Sequence, residues 1–218
     1  KTGTLTKDEM TVRKIFMLNR PVVDVTGAGY APTGSFLANN QPLVVENGML
    51  ELLKGGVLCS DARLIEPAPG TWDIKGDPTE GALITAAAKA HLLKNELDNE
   101  YQRVAEIPFS SETKYMATLH KNGANHTIYA KGAAESILAF CTKAFGPQGT
   151  LDLTDADRQV ILNQVQEFSK QALRVIAIAS SNSNSLEGTP NNLTFLGLFA
   201  MIDPPRQEAA KAIATCKT

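Results

Sequence analysis

The sequence predicts an α+β domain: a twisted, largely antiparallel β-sheet with helices packed on it. Three observations predict it. Segments rich in β-branched residues recur along the chain. Two of them are joined by "NGAN" (residues 122–125), whose Asn-Gly is a strong short-range hairpin signal. Helical patterns lie between the strands without the regular strand–helix alternation that marks a parallel sheet.

The elements follow in order. "MTVRKIFML" (10–18) alternates and reads as a strand. "PVVDVTGAGYAPTGSF" (21–36) reads as a second strand running into a glycine-proline turn region. "VENGMLELLKGGVLCSDA" (45–62) reads as a helix, with Met49, Leu50, Leu53, Val57 and Leu58 at helical spacing and Gly55-Gly56 weakening it. "PTEGALITAAAKAHLL" (78–93) is a clear helix. Strands are expected near "RVAEIPF" (103–109), "YMATLHK" (115–121) and "HTIYAKG" (126–132), then a helix at "AAESILAFC" (133–141). The best amphipathic helix is "TDADRQVILNQVQEFSKQAL" (154–173). Ile161, Val165, Phe168 and Ala172 form its apolar stripe and Thr154 or Asp155 its cap. "RVIAIAS" (174–180) and "LTFLGLFAMI" (193–202) read as strands around a polar loop, "SSNSNSLEGTPNN" (180–192).

Composition narrows the function classes. At 218 residues, with 43% apolar and 20% charged residues, the chain can bury a core. Its apolar runs are far shorter than the about 20 residues that cross a bilayer. No secretory or transit segment is visible. A net charge of −2 lacks the basic footprint of a nucleic-acid binder. Cys59, Cys141 and Cys216 are odd in number and far apart, so neither a disulfide framework nor a thiol metal site is expected; a reducing compartment is the simplest setting. His91, His120 and His126 have no metal-ligand spacing.

Two features of the sequence bear on phosphate binding. "GAG" (27–29) does not continue into a dinucleotide fingerprint, and a hairpin turn using glycine's positive φ accounts for it. No stretch has Walker A spacing, so a nucleotide would be bound without a glycine-rich cradle.

"KGDPTEGAL" (75–83) has a plain reading. Asp77 suits a helix N-cap, Pro78 the first helical position, and Glu80 a capping-box position three residues on. The same chain also carries "KTGTLT" (1–6), "PFSSETKYM" (108–116), "YAKGAAE" (129–135), "ALRVIAIA" (172–179) and "MIDPPR" (201–206). Taken singly, each is bland. Base rates put Phe109 in the core, Lys131 is as well read as a solvated lysine, and Arg174 as a surface residue opening a strand.

Together and in this order, the motifs resemble the nucleotide-binding domain of P-type cation-transporting ATPases, of the subfamily with the calcium and sodium/potassium pumps. The resemblance runs end to end. It implies that an aspartate receiving the γ-phosphate stands just before Lys1. It implies that residues 1–7 and 201–218 belong to the hinge and phosphorylation domain, with the nucleotide domain at 8–200. It implies ATP as the ligand and Mg2+ in the intact parent, whose magnesium-holding motifs are not in this sequence. The partners implied are the phosphorylation and actuator domains of a membrane-embedded pump, with no nucleic acid, and the setting is cytoplasmic.

The resemblance also assigns residues. Phe109 would stack on adenine, an interaction of about 1–3 kcal/mol. Glu80 would accept from the adenine amino group, with Asp77 and Thr79 at the rim. Lys114 and Lys131 would bring positive charge, Met116 an adaptable apolar wall, and Gly132 room for the backbone. Arg174 would reach the phosphates through its guanidinium fork. Arg206 would be a hinge-side phosphate contact. No residue of this chain would be catalytic, so nucleotide binding without turnover is expected of it alone. An α+β interaction domain that kept the fold without a working pocket is the alternative; a stand-alone kinase or hydrolase lacks its motifs.

Overall fold

The computed structural model describes Thr6 and residues 9–204; Arg206, Cys216 and the rest of "KTGTLT" lie outside the described residues. The chain begins with a meander of β1 (Thr11–Phe16), β2 (Val23–Val25), β3 (Phe36–Ala38) and β4 (Gln41–Pro42). Helix α1 (Asn47–Leu58) follows, then the hairpin β5 (Arg63–Ala68) and β6 (Thr71–Lys75), and helices α2 (Pro78–Ala88) and α3 (Lys94–Glu100). Next come β7 (Gln102–Ile107), β8 (Tyr115–Asn122), β9 (Asn125–Gly132) and α4 (Ala134–Phe140). The chain continues with β10 (Cys141–Gly146), β11 (Gly149–Asp152), α5 (Asp155–Lys170), β12 (Arg174–Asn182) and β13 (Leu193–Ile202).

One sheet runs in the order β4-β3-β2-β1-β13-β12-β9-β8-β7. Its pairs are antiparallel except that β10, which carries β11 as a hairpin, lies parallel to the start of β13. The fold class is therefore the expected one. The first and last long strands are neighbours, with Thr11 opposite Ile202. Just beyond them the Glu9 amide donates to Asp203 Oδ1 at 3.3 Å.

Both faces of the sheet are covered, so its central strands are apolar on both sides. On the front, α1, α2 and α3 pack through Leu52, Leu53, Leu83 and Leu97 against Met116, Tyr129, Ile178 and Phe199. On the back, α4 and α5 pack through Ile137, Leu138, Ile161 and Phe168 against Ala117, Ala130, Ala179 and Leu198. The Gly55-Gly56 pair does not break α1. A Cβ on Gly55 would stand 2.9 Å from both Ile178 and Tyr129, so glycine lets the helix lie close on the sheet.

Several boundaries differ from expectation, each for a local reason. The helix expected over 78–93 ends at Ala88, and His91 turns the chain at φ +60° into the separate α3. Helix α5 has a full capping box between Thr154 and Asp157. Ala172 is not part of its apolar stripe. It sits at φ +58°, and the Leu173 amide reaches back to Phe168 O in a Schellman-type ending. The 122–125 hairpin forms with Gly123-Ala124 as its two loop residues, so glycine at the first central position makes the turn rather than Asn-Gly filling both. Gly27 and Gly29 occupy the β2–β3 loop with φ +88° and +64°, as the turn reading requires.

Candidate functional site

Strands β7, β8, β9 and β12 have one end in common, marked by Ile107, Tyr115, Gly132 and Arg174. The N-terminus of α2 and the C-terminus of α1 come to the front face there. Asp77 caps α2 by accepting from the Thr79 amide at 2.8 Å and the Glu80 amide at 3.2 Å. Pro78 fills the first helical position, where no amide hydrogen is missed.

Glu80 does not complete a capping box. Its carboxylate turns across to the end of α1, where Oε2 accepts from the Asp61 amide at 2.7 Å and the Ala62 amide at 2.9 Å. Its Oε1 accepts from Lys131 Nζ in a tight ion pair. Both side chains are largely buried, 10% exposed for Lys131 and 14% for Glu80.

Lys131 is thus not a solvated lysine. The register explains its burial: it stands between Met116 of β8 and Ile178 of β12 in one cross-strand row on the front face. Its second contact is Ser60 Oγ at 3.1 Å. Met116 is itself buried in the front core. Among the described residues the two buried ammonium groups, Lys94 and Lys131, both lie on this face.

Arg174 is exposed and joins the same end. Its Nη1 donates to Thr79 Oγ1 at 2.9 Å, a contact across 95 residues of sequence. Gly132 is fixed by the fold, because a Cβ there would lie 2.3 Å from Lys114 O. The Ala133 amide donates to that same oxygen at 3.0 Å. Lys114 is exposed and takes φ +60° where the loop of residues 108–114 enters β8. Phe109 lies on that loop and is 62% exposed, against the base-rate expectation of a core aromatic. The structure therefore joins Thr79 to Arg174 and Glu80 to Lys131, sets Met116 beside Lys131, and closes Gly132 on Lys114. Phe109 stands free of the core on the connecting loop.

Sequence reasoning missed three contributors. Ser60 is fully buried beneath Lys131. Arg103 donates through Nη1 to Asp61 at 2.6 Å and to Glu106 at 2.8 Å, and through Nη2 to the Leu58 and Ser60 carbonyls. Lys94 reaches Ser60 O at 2.9 Å, and burial lowers its pKa against the pull of Asp98. These groups satisfy carbonyls that α1 leaves unpaired at its C-terminus. Burial also pushes the neighbouring Cys59 thiol up, although Lys131 and Arg103 oppose it.

Cavity size does not mark this end. A cavity of about 250 Å3 adjoins it, lined by Ser60, Asp61, Arg63, Lys94, Asp98 and Arg103. A larger one, about 570 Å3, opens at the opposite end of the sheet among Lys54, Tyr101, Asn125, His126 and Asn182. An open groove between loops needs no converging side chains, whereas the β7–β8–β9–β12 end brings Glu80, Lys131, Thr79 and Arg174 together.

The chain can be set beside known proteins. The family described as "P-type ATPase, cytoplasmic domain N" matches residues 48–208. The "Probable cation-transporting ATPase F" of Mycobacterium tuberculosis is 39% identical over 229 residues, covering 99% of this chain and 24% of that protein. The "Calcium-transporting ATPase" of Bacillus subtilis is 34% identical over 226 residues, covering 100% of this chain and 25% of the relative. The human "Calcium-transporting ATPase type 2C member 1" is 36% identical over 221 residues, covering 99% and 23%. The chain thus spans about a quarter of the length of these curated relatives. With the family match over most of its residues and such relatives along its whole length, the chain belongs to the family of P-type ATPase cytoplasmic N domains.

Proposed function

We propose that this chain is the ATP-holding part of a cation-transporting ATPase, with its site at the β7–β8–β9–β12 end of the sheet. The observation that carries the reading is the meeting of Thr79 with Arg174 and of Glu80 with Lys131 at one helix N-terminus. Phe109 stacks on adenine, its exposed face supporting that role. Arg174 reaches the outer phosphates, and Lys114 and Lys131 add positive charge. Met116 walls the base, Asp77 and Thr79 form the rim, Gly132 keeps the backbone low, and Arg206 contacts phosphate from the hinge. Glu80 has three of a carboxylate's about four lone-pair positions engaged. It can accept one further bond, from the adenine amino group, and its larger part is to hold Lys131.

In the intact pump the domain is bounded at about 8–200 and presents the γ-phosphate to the aspartate before Lys1, in contact with phosphorylation and actuator domains. Adjacent first and last strands support a domain inserted at one place in another. Positioning and charge neutralisation are most of what phosphoryl transfer asks of it. Magnesium would be held elsewhere in the parent. Among the described residues no group of three or more His, Cys, Asp or Glu is placed to hold a metal.

Titration of the chain with ATP, ADP and AMP tests the reading. ATP should bind with a dissociation constant of about 0.1 mM to a few mM, nearly independent of magnesium and without turnover. Arg174→Ala should weaken ATP more than AMP. No binding of any adenine nucleotide would leave the interaction-domain alternative standing, and a strictly magnesium-dependent site would refute the reading.

A further inference from the structure

Ser60 has no part in the site as the sequence assigns it, yet it is fully buried beneath Lys131. Its hydroxyl accepts from Lys131 Nζ at 3.1 Å and donates to Gly56 O at 2.7 Å. The turn that carries it, residues 57–62, is held from three further elements. Lys94 of α3 donates to Val57 O at 3.5 Å and Ser60 O at 2.9 Å. Arg103 of β7 donates to Leu58 O at 2.9 Å and Ser60 O at 3.0 Å. Glu80 of α2 accepts from the amides of Asp61 and Ala62.

Closing the end of α1 accounts for Lys94 and Arg103. It does not account for the Ser60 hydroxyl meeting the one ammonium that comes from β9. An ammonium has three N–H donors. Glu80 takes one of Lys131's and Ser60 a second; the described residues offer no partner for the third. In the register of the sheet Lys131 stands between Met116 and Ile178.

We propose that Ser60 is a positioning residue for Lys131. With Glu80 it anchors the ammonium at two points on a rigid turn and leaves the third N–H for an acceptor that AMP, ADP and ATP have in common. Lys131 then contributes a directed hydrogen bond in addition to its charge. This rests on the reading that Lys131 lines an adenine-nucleotide pocket.

Two measurements on the whole 218-residue chain test it. The first is the acylation rate of the Lys131 amine with acetic anhydride, read by peptide mass spectrometry. The second is the affinity for AMP and ATP. Ser60→Ala should speed acylation of Lys131 several-fold while leaving exposed Lys121 and Lys170 unchanged. It should also weaken AMP and ATP alike, about three- to tenfold, the scale of one hydrogen bond. In a Lys131→Ala background, Ser60→Ala should change affinity no further. The proposal fails if Ser60→Ala lowers the melting temperature but leaves Lys131 acylation and both affinities at wild-type values, since the hydroxyl would then serve only Gly56. It fails equally if the affinity loss persists without Lys131. A wild-type chain that binds no nucleotide would refute the ATP reading instead, and the acylation rate would still decide whether Ser60 holds Lys131.

Discussion

The two faces of the sheet differ in chemistry. The back, under α4 and α5, is closed mainly by apolar side chains such as Ile137, Phe168, Phe195 and Leu198. The front, under α1, α2 and α3, has an apolar centre too, but its margin holds Glu80, Lys94, Arg103 and Lys131 around one turn of chain. Burying such groups costs several kcal/mol for each unpaired charge, so each must be paired and hydrogen-bonded. Substituting well-packed apolar residues for a buried ion pair is often neutral or stabilising. The Glu80–Lys131 pair on the front is therefore more than stability alone requires, whereas on the back Arg158 closes the end of α4 by donating to the Leu138 and Cys141 carbonyls. The difference sets a face that holds the fold apart from the face that carries the proposed nucleotide site.

Breaking the back should move stability alone. Phe168→Ala removes a fully buried ring and should cost about 3–5 kcal/mol. Urea denaturation measures the loss; at a temperature where the variant is folded, its ATP and AMP affinities should equal those of wild type. A changed ATP-to-AMP ratio would blur the distinction between the faces.

Breaking the front should move both properties. Lys131→Ala leaves the Glu80 carboxylate buried without its cation and should cost about 3 kcal/mol. The double variant Lys131→Met with Glu80→Gln should recover much of that stability, because no charge is then orphaned and glutamine can still accept from the Asp61 and Ala62 amides. Nucleotide affinity should stay low in both. Recovery of affinity along with stability would mean that the pair serves the fold only.

A smaller effect sharpens the comparison at the far end of α2. Lys89 donates to Thr26 O at 2.6 Å, and burial, aided by nearby Arg13, lowers its pKa to about 8. The folded pKa lies below the ordinary 10.5, so the unfolded chain binds the proton more tightly. The penalty is fully present below pH 8 and is relieved as pH rises toward 10.5. Lys89→Met should therefore gain stability relative to wild type at pH 7, and the gain should shrink by pH 10. Paired melting curves at the two values give the sign.

Much of this was legible in the sequence where one local rule dominates. The apolar stripe from Ile161 to Phe168 with a cap at Thr154 or Asp155 announced α5, and Asp77-Pro78 announced α2. The motif residues 79, 80, 131 and 174 were legible as site candidates, but their pairing was not, since Glu80–Lys131 and Thr79–Arg174 join segments 51 and 95 residues apart. The hairpin β5–β6 escaped notice because β5 is mostly exposed and contains Pro67, and the alternation of Trp72 and Ile74 in β6 spans only five residues. The β10–β11 hairpin was hidden by its start directly after α4, with Cys141 ending one and opening the other. Helix α3 is seven residues long and mainly polar, too short for periodicity to show. Ser60 and Arg103 carried no signal at all, because their importance comes from the carbonyl ends of α1, which exist only once the helix has docked.

The proposed site binds adenine through Phe109, a residue that the fold does not need. Phe109→Ala tests it most directly, with ATP and AMP titrations and a melting curve on the same variant. Its exposure predicts a stability change within about 0.5 kcal/mol. Loss of the stacking face predicts that ATP and AMP weaken by comparable factors, about 1–3 kcal/mol each. Wild-type affinities for both nucleotides in a normally folded Phe109→Ala variant would contradict the account.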